Sequence, residues 1–314
     1  MNPIPPGISV VIPAYESELS LSLLIKRLGA VLPGLAADYE VVLVNDGSRG
    51  RTWEVIMQLC AEHAFVRGIC LMRNYGQHNA LLCGIRAARY ATLVTMDDDL
   101  QHPPELLPRL LAAFTPDTDV VYGAPEREQH GLLRNLASVI TKLALQNAMG
   151  AKTARVVSAW RVFRTHLRDA FASYHSPYVS IDVLLTWGTT RFSSITLRHD
   201  QRELGVSNYN VLKLLRHALN MMTGFSVAPL QLASIVGFTF TLFGFGVLAY
   251  VLGRYVLLGS TVAGFPFLAS IIAIFSGAQL FALGIMGEYL SRMHFRLMEK
   301  PSYAIRMEAE AHGK

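Results

Sequence analysis

Three consecutive aspartates follow an apolar run in the stretch VTMDDDLQHPP, and their spacing points directly to chemistry. Successive residues of an extended segment point to opposite faces, so Asp97 and Asp99 are expected to face one way and Asp98 the other. Two carboxylates on one side bind a hard divalent cation such as Mg2+ or Mn2+, which also bridges phosphate oxygens. The alternative is a solvated acidic turn before a helix that begins at the two prolines, where acidic residues suit the helix dipole.

The elements that must position these aspartates can be read from the first 125 residues, where short β-branched runs alternate with helical patterns. Strands are predicted at 8–13, 39–45, 66–72, 91–96 and 119–123, with helices at 19–31, 53–63, 77–89 and 105–114. Strands that alternate with helices indicate an α/β fold, in which helices cover both faces of a mostly parallel sheet. Such sheets bind their ligands outside the carboxyl ends of the strands.

Acidic residues collect at that edge of the predicted sheet. Glu16 follows the first strand, Asp46 lies in an Asn-Asp-Gly-Ser turn after the second, and the three aspartates follow the fourth. Because Asp46 reaches the same edge, a ligand site is favoured over a solvated turn. The sequence contains no G-x-G-x-x-G and no G-x-x-x-x-G-K-[ST] motif, which argues against a dinucleotide fold and against a P-loop.

Two long runs without charged residues, 218–253 and 255–287, follow the predicted sheet. Each exceeds the roughly 20 residues that a helix needs to cross a bilayer, so transmembrane helices are predicted at about 230–253 and 267–287. The alternative is a pair of buried core helices. The expected organisation is a sheet domain at 1–207, a juxtamembrane amphipathic helix at 208–228, the membrane hairpin at 229–290 and a C-terminal tail at 291–314. The amphipathic helix either lies in the membrane interface or packs on the domain.

The net charge of +5 does not form the dense basic patch that nucleic-acid binding requires. Basic residues instead flank the apolar runs, with Lys213 and Arg216 before the first and Arg292, Arg296 and Lys300 after the second. The positive-inside rule therefore places the sheet domain and both termini in the cytoplasm. The start MNPIPPG lacks the regions of a signal peptide, and the three cysteines fit no metal spacing, which favours a reduced compartment.

The motifs VVIPAYES, VLVNDGS, RNYGQHNALLCGI, MDDDLQHPPELLP and DVVYG occur in the order and spacing of inverting GT-A-type glycosyltransferases. The sequence most resembles the branch that loads sugars onto polyprenyl phosphates, which includes dolichyl-phosphate mannose synthases and bacterial undecaprenyl-phosphate glycosyltransferases. The resemblance covers nearly the whole chain, including both apolar runs. It implies a GT-A-type fold, a nucleotide-sugar donor with UDP favoured, a polyprenyl phosphate acceptor, and Mg2+ or Mn2+ as cofactor. It also implies a multi-pass enzyme of the bacterial inner membrane that supplies lipid-linked sugar to the cell envelope.

The resemblance assigns roles to residues on the donor side. The nucleotide-sugar positions are Pro13, Tyr15, Asp46, Asp97 and Asp98. The metal positions are Asp97, Asp99 and Gln101.

On the acceptor side, Arg134 and Ser138 match an Arg-x-x-x-Ser that holds phosphate groups in the family, and an i, i+4 pair lies on one face of a helix. The stretch RELGVSNY makes Arg202 a further acceptor-phosphate ligand. The expected catalytic residues are Asp97, Asp99, Arg134 and Arg202.

The sequence also departs from the family pattern. Glu16-Ser17 stands where Asn-Glu is usual, Pro125 where Arg is common, and Asn208 where Lys is usual. Arg155 stands where many members carry an aspartate, so a base at that position is lacking. A phosphate acceptor has a second pKa near ~6 and is already nucleophilic at cytoplasmic pH, so we expect direct attack without a protein base.

Two other functions are compatible with parts of the sequence. A membrane-anchored nucleotide-sugar sensor would explain the Arg155 departure without catalysis. A processive polysaccharide synthase of the same broad fold would carry Q-x-x-R-W and more membrane helices, and this sequence has neither. Whether the chain forms a homo-oligomer is left open.

Overall fold

The computed structural model describes residues 7–125, 157–200, 228–259 and 264–310. Four candidate residues, Arg134, Ser138, Arg155 and Arg202, lie outside these ranges. The chain divides into two compact units. One unit contains the sheet, and the other contains two long helices.

Eight strands of the described chain form one mixed sheet. They are β1 (Gly7–Ala14), β2 (Asp38–Asn45), β3 (Val66–Leu71), β4 (Thr92–Thr95), β5 (Val120–Pro125), β6 (Arg161–Arg164), β7 (Phe192–Leu197) and β8 (Ile305–Glu310). Their order across the sheet is β7-β5-β6-β4-β1-β2-β3-β8. The central strands β4, β1, β2 and β3 are mutually parallel, so their carboxyl ends meet at one edge.

Five α-helices of the described chain accompany the sheet: α1 (Leu21–Val31), α2 (Thr52–Glu62), α3 (Gln77–Ala87), α4 (Leu107–Ala112) and α5 (Ile181–Gly188). The alternating side chains of β1 explain how both faces are covered. Val10 packs in a core cluster with α1, α2 and α4, whereas the next residue, Val11, packs in a second cluster with α3 and α5. The expected α/β class, with a mostly parallel mixed sheet between helices, is confirmed.

Three strands were not predicted from the sequence. β6 runs antiparallel between β4 and β5, and β7 extends that side of the sheet beside β5. β8 pairs antiparallel with β3 at the opposite edge. The C-terminal tail expected at 291–314 thus contains a strand, because residues 305–310 pair with β3 and Glu310 forms an ion pair with Arg67.

The second unit contains α6 (Ala228–Leu258) and α7 (Phe265–Leu297). The predicted spans at 230–253 and 267–287 each lie inside one of these helices. Over Pro229–Leu257, α6 is long and apolar enough to cross a membrane by length and composition. That α7 also crosses stays a prediction, and the amphipathic helix expected at 208–228 lies outside the described residues except for its last position.

Candidate active site

A cavity of about 280 Å3 lies at the carboxyl ends of β1, β2 and β4. Its lining comes from three strand ends and from the loop before α3: Pro13, Ala14, Tyr15, Asp46, Asn74, Gly76, Gln77, Asp97, Asp98 and Asp99. All five residues expected around the nucleotide sugar are among them. The parallel register of the three strands explains this convergence, because it aligns residues that are far apart in the sequence at one edge.

Asp46, in the loop after β2, is hydrogen-bonded to the loop before α3. Its Oδ1 accepts the Tyr75 backbone N–H at 2.7 Å, and its Oδ2 accepts the Gly76 N–H at 2.8 Å. Burial outweighs these two hydrogen bonds and raises the pKa of Asp46 to about 6. Its charge can therefore be removed by modest acidification.

The close approach of these two loops depends on Gly47. This residue has φ +65°, in the left-handed region, and a β-carbon there would lie 2.2 Å from the carbonyl carbon of Arg73. A side chain at position 47 would therefore push the loop after β2 away from the loop before α3. The Asp-Gly pair holds Asp46 against the Tyr75 and Gly76 amides.

The three aspartates lie in a loop, because β4 ends at Thr95. The Asp97 Oδ1 accepts a hydrogen bond from the Gln77 side-chain amide at 2.6 Å, and Asp98 accepts one from the Ser17 hydroxyl. All three aspartates line the same cavity, so the strict alternation expected of an extended strand does not hold here. Asp98 instead ties the aspartate loop to the loop after β1.

The carboxylates of Asp97 and Asp99 suit a divalent cation whose remaining ligands come from phosphate and water. Mg2+ in proteins is commonly held by one or two carboxylates together with substrate phosphates and water. Within the described ranges no group of three His, Cys, Asp or Glu residues forms a complete metal site. A cation at Asp97 and Asp99 would therefore depend on oxygen atoms from the donor as well as from the protein.

Gln101, the third expected metal position, follows the cavity residues. Its backbone N–H donates to Asp99 Oδ1 at 3.2 Å, and its carbonyl accepts the Asp200 N–H at 3.0 Å. Among the described residues that line the cavity, the aspartate loop contributes only Asp97, Asp98 and Asp99. The structure thus places Gln101 where its backbone supports the loop, and its role as a ligand stays a prediction.

Sequence reasoning missed Gln77, Ser17 and Asn74 as residues of this site. The motif that contains Asn74 and Gln77 was recognised, but nothing in it indicated that the amide of Gln77 reaches Asp97. Ser17 was noted only as a departure from the family pattern. Its contact with Asp98 joins loops that are 81 residues apart in the chain, a pairing that local spacing does not reveal.

Comparison with known proteins agrees with this geometry. The sequence model described as Glycosyl transferase family 2 matches residues 9–171. The chain is 32% identical over 301 residues to an undecaprenyl-phosphate 4-deoxy-4-formamido-L-arabinose transferase from Yersinia enterocolitica, covering 95% of this chain and 92% of the relative. A protein of the same name from Photorhabdus laumondii is 33% identical over 301 residues, covering 95% of this chain and 93% of the relative.

Among solved structures, the fold is similar to that of glucosyl-3-phosphoglycerate synthase from Mycobacterium tuberculosis, determined with Mn2+, UDP-glucose and phosphoglyceric acid. The TM-score is 0.53 at 17% identity, and the match covers 69% of this chain and 77% of that one. This likeness concerns the fold, whereas the family model and the relatives identify the lineage. The chain is a glycosyltransferase and belongs to glycosyl transferase family 2.

Proposed function

We propose that this protein transfers a sugar from a UDP-sugar to the phosphate of undecaprenyl phosphate at the cytoplasmic face of the bacterial inner membrane. The observation that carries the proposal is the gathering of Asp46, Asp97 and Asp99 in one cavity at the carboxyl edge of the parallel strands. The relatives support a polyprenyl phosphate acceptor, since both are named as transferases that act on undecaprenyl phosphate. The product is a lipid-linked sugar for modification of the cell envelope.

The donor nucleotide is assigned to the side of the cavity formed by Pro13, Tyr15 and Asp46. Tyr15 is 45% exposed although it lines the cavity, so its ring is available to pack against a base. The Asp46 carboxylate is buried and can accept a hydrogen bond from the imide N–H of uracil. Together these side chains suit a base that carries a ring N–H donor, such as uracil.

The donor diphosphate is assigned to the side of the cavity formed by the aspartates. Asp97 and Asp99 would hold Mg2+ or Mn2+ together with the diphosphate, and Asp98 holds the loop against Ser17. A bound cation supplies Lewis-acid stabilisation of the departing nucleoside diphosphate. Gln77 donates to Asp97 and keeps that carboxylate directed toward the cavity.

The acceptor phosphate is assigned to Arg134, Ser138 and Arg202. Their cationic and hydroxyl groups match the needs of a dianion, which requires positioning and charge screening more than deprotonation. We therefore infer inverting, direct attack of the lipid phosphate on the anomeric carbon. No protein base takes part, since Arg155 stands where many members of the family carry an aspartate. A single-turnover rate that depends steeply on an enzyme group with a pKa near ~7, at constant acceptor ionisation, would contradict this.

The connectivity of the chain supports a membrane hairpin formed by α6 and α7. Both long helices lie in the sequence between two parts of one sheet unit, since β8 returns to β3. If α6 and α7 both cross the membrane, an even number of crossings returns the chain to the side on which it started. A cytoplasmic sheet unit with a two-helix hairpin satisfies this connectivity.

The experiment that tests the function uses the full chain in detergent with undecaprenyl phosphate, Mn2+ and a panel of UDP-sugars that includes UDP-4-deoxy-4-formamido-L-arabinose. We expect release of UDP that requires the lipid. We expect Asp99→Asn to reduce the rate by at least about a hundredfold, as the loss of about 3 kcal/mol of transition-state stabilisation would. Asp38→Asn, at the exposed amino end of β2, is the matched control and should retain the wild-type rate.

The alternative, a nucleotide-sugar sensor, predicts a different result. Such a protein would bind UDP-sugars without lipid-dependent release of UDP for any donor in the panel. An Asp99→Asn variant with the wild-type rate would contradict the assignment of the site.

A further inference from the structure

His102 lies directly after the aspartate loop and has no role in the proposed function. Its side chain is 5% exposed and packs against the Trp160 ring at a centroid distance of 5.3 Å. The His199 ring lies edge-on to it at 4.8 Å. These contacts fix the orientation of the imidazole within the aromatic cluster of His102, Trp160 and His199.

The backbone of the aspartate loop does not adopt its conformation through local preference. Leu100 has φ +63°, a left-handed conformation that is unfavourable for a residue with a bulky side chain. Its side chain is nevertheless buried in the core. Tertiary contacts must therefore hold the loop in this shape.

One such contact closes the loop. The Asp97 backbone N–H donates to His102 Nδ1 at an N–N distance of 3.3 Å. Since Nδ1 accepts this hydrogen bond, the ring proton of the neutral imidazole must be on Nε2. An imidazolium, protonated on both nitrogens, would have no acceptor at Nδ1, so this hydrogen bond requires the neutral ring.

The position of the Asp97 carboxylate depends on that of its own backbone. The exposed Gln77 side chain donates to the Asp97 carboxylate, whereas the buried His102 accepts from the Asp97 backbone N–H. The buried contact is the more rigid of the two, because the rings of Trp160 and His199 restrict the imidazole. Removing the Nδ1 acceptor would take this hydrogen bond from the Asp97 N–H and loosen the backbone at Asp97.

We propose that His102 is a positioning residue whose Nδ1 holds the Asp97 amide and thereby sets the affinity of the site for a divalent cation with UDP. The inference rests on the proposed function, since it assumes that Asp97 and Asp99 bind the cation. His102 itself touches neither the cation nor the donor. Its effect is transmitted through one backbone hydrogen bond.

The test is an electron paramagnetic resonance titration of Mn2+ against the full chain in detergent, with saturating UDP. His102→Phe keeps a ring in the cluster but removes the acceptor, and we expect Mn2+ affinity to fall about three- to tenfold, the typical effect of one hydrogen bond. His102→Asn places an amide oxygen near the position of Nδ1, and we expect affinity within about twofold of wild type. His63→Phe, which changes a partly buried histidine after α2, is the control and should not alter Mn2+ affinity.

These variants distinguish a positioning role of His102 from a role in packing alone. If His102→Phe binds Mn2+ as wild type does, or if Asn and Phe weaken binding equally, the proposal is overturned. Should His102→Phe fail to show a cooperative thermal unfolding transition, His102→Gln replaces it. Glutamine places its oxygen near Nε2, so His102→Gln must be weaker than His102→Asn if the proposal holds.

Failure of the proposed function gives a different pattern. If the wild-type protein binds no Mn2+ with UDP, both the function and this inference are overturned. If wild type binds Mn2+ and Asp99→Asn does not, while His102→Phe equals wild type, the function stands and only the inference is overturned.

Discussion

The Asp46 carboxyl group combines two features that usually oppose one another. Two backbone amides donate to it, which favours the charged form, yet burial raises its pKa to about 6. Donor binding through an ionised carboxylate would then depend on pH within the range that bacteria experience. An exposed aspartate would keep its charge down to pH ~4 and would therefore confer no pH dependence in this range.

We therefore predict that UDP-glucose affinity, measured by calorimetry with Mn2+ present, is about tenfold weaker at pH 5 than at pH 7.5, because protonation of a group with a pKa near 6 competes with binding. UDP-glucose is the suitable probe, since its diphosphate lacks the monoester ionisation near pH ~6. Asp46→Asn should bind more weakly at pH 7.5 and lose most of the pH dependence. Parallel pH profiles for the two proteins would show that another group titrates.

Part of the site is predictable at the scale of residues. Asp46 and Asp97 lie where the sequence indicated, because both follow parallel strands and the strand-end rule is general. Ser17 and His102 were not predicted as parts of the site. Their contacts depend on loop backbone geometry, including the left-handed Leu100, which residue types alone do not specify.

At the scale of elements, the site depends on how closely the loop after β2 approaches the loop before α3. Gly47 and Gly76 both have positive φ, at +65° and +95°, but only Gly47 faces backbone atoms where a β-carbon would be. At Gly76 no heavy atom of the described structure lies within 4 Å of that position. Alanine substitutions at the two glycines can therefore be compared to separate the free-energy cost of a positive φ from that of a steric clash.

We predict that Gly47→Ala lowers the Tm at least about twice as much as Gly76→Ala, because it adds a clash with Arg73 to the strain of a positive φ. Gly34→Ala, which has open space and no positive φ, should change the Tm by less than about 2 °C. Differential scanning fluorimetry in detergent measures all three. Equal Tm values for Gly47→Ala and Gly34→Ala would show that the loops do not require this contact.

The elements differ in how far the sequence predicts them. β1 to β5 were predicted because their β-branched runs stand out between helical patterns. β6 was missed because the short stretch RVFR begins with Arg161, which is buried only because Asp182 and Tyr122 surround it. β8 was missed because its sequence, IRMEAE, alternates like a solvated edge and its partner β3 is far away in the chain.

At the scale of the whole molecule, the proposed hairpin predicts which parts of the chain face each side of the membrane. Cysteine labelling in intact cells suits this protein, because the native Cys60, Cys70 and Cys83 are buried. We predict that Thr261→Cys, in the connection between α6 and α7, reacts with a membrane-impermeant maleimide after permeabilisation of the outer membrane alone. Arg51→Cys, at an exposed position before α2, should react only after the inner membrane is also opened.

Labelling of both cysteines from the outside would contradict the cytoplasmic location of the sheet unit. Protection of both until the inner membrane is opened would contradict the crossing of α6 and α7. The two outcomes distinguish an error in orientation from an error in the number of spans.

The return of β8 to the sheet has a consequence for the order of synthesis. A ribosome completes β1 to β7 before it makes either long helix, and it makes β8 last. Throughout synthesis of α6 and α7 the edge of β3 therefore lacks its partner strand, and an open strand edge is prone to incorrect pairing. A chain interrupted after α7 would carry all ten residues that line the cavity and still expose this edge. Pairing of β8 with β3 therefore covers this strand edge only after both long helices have been made.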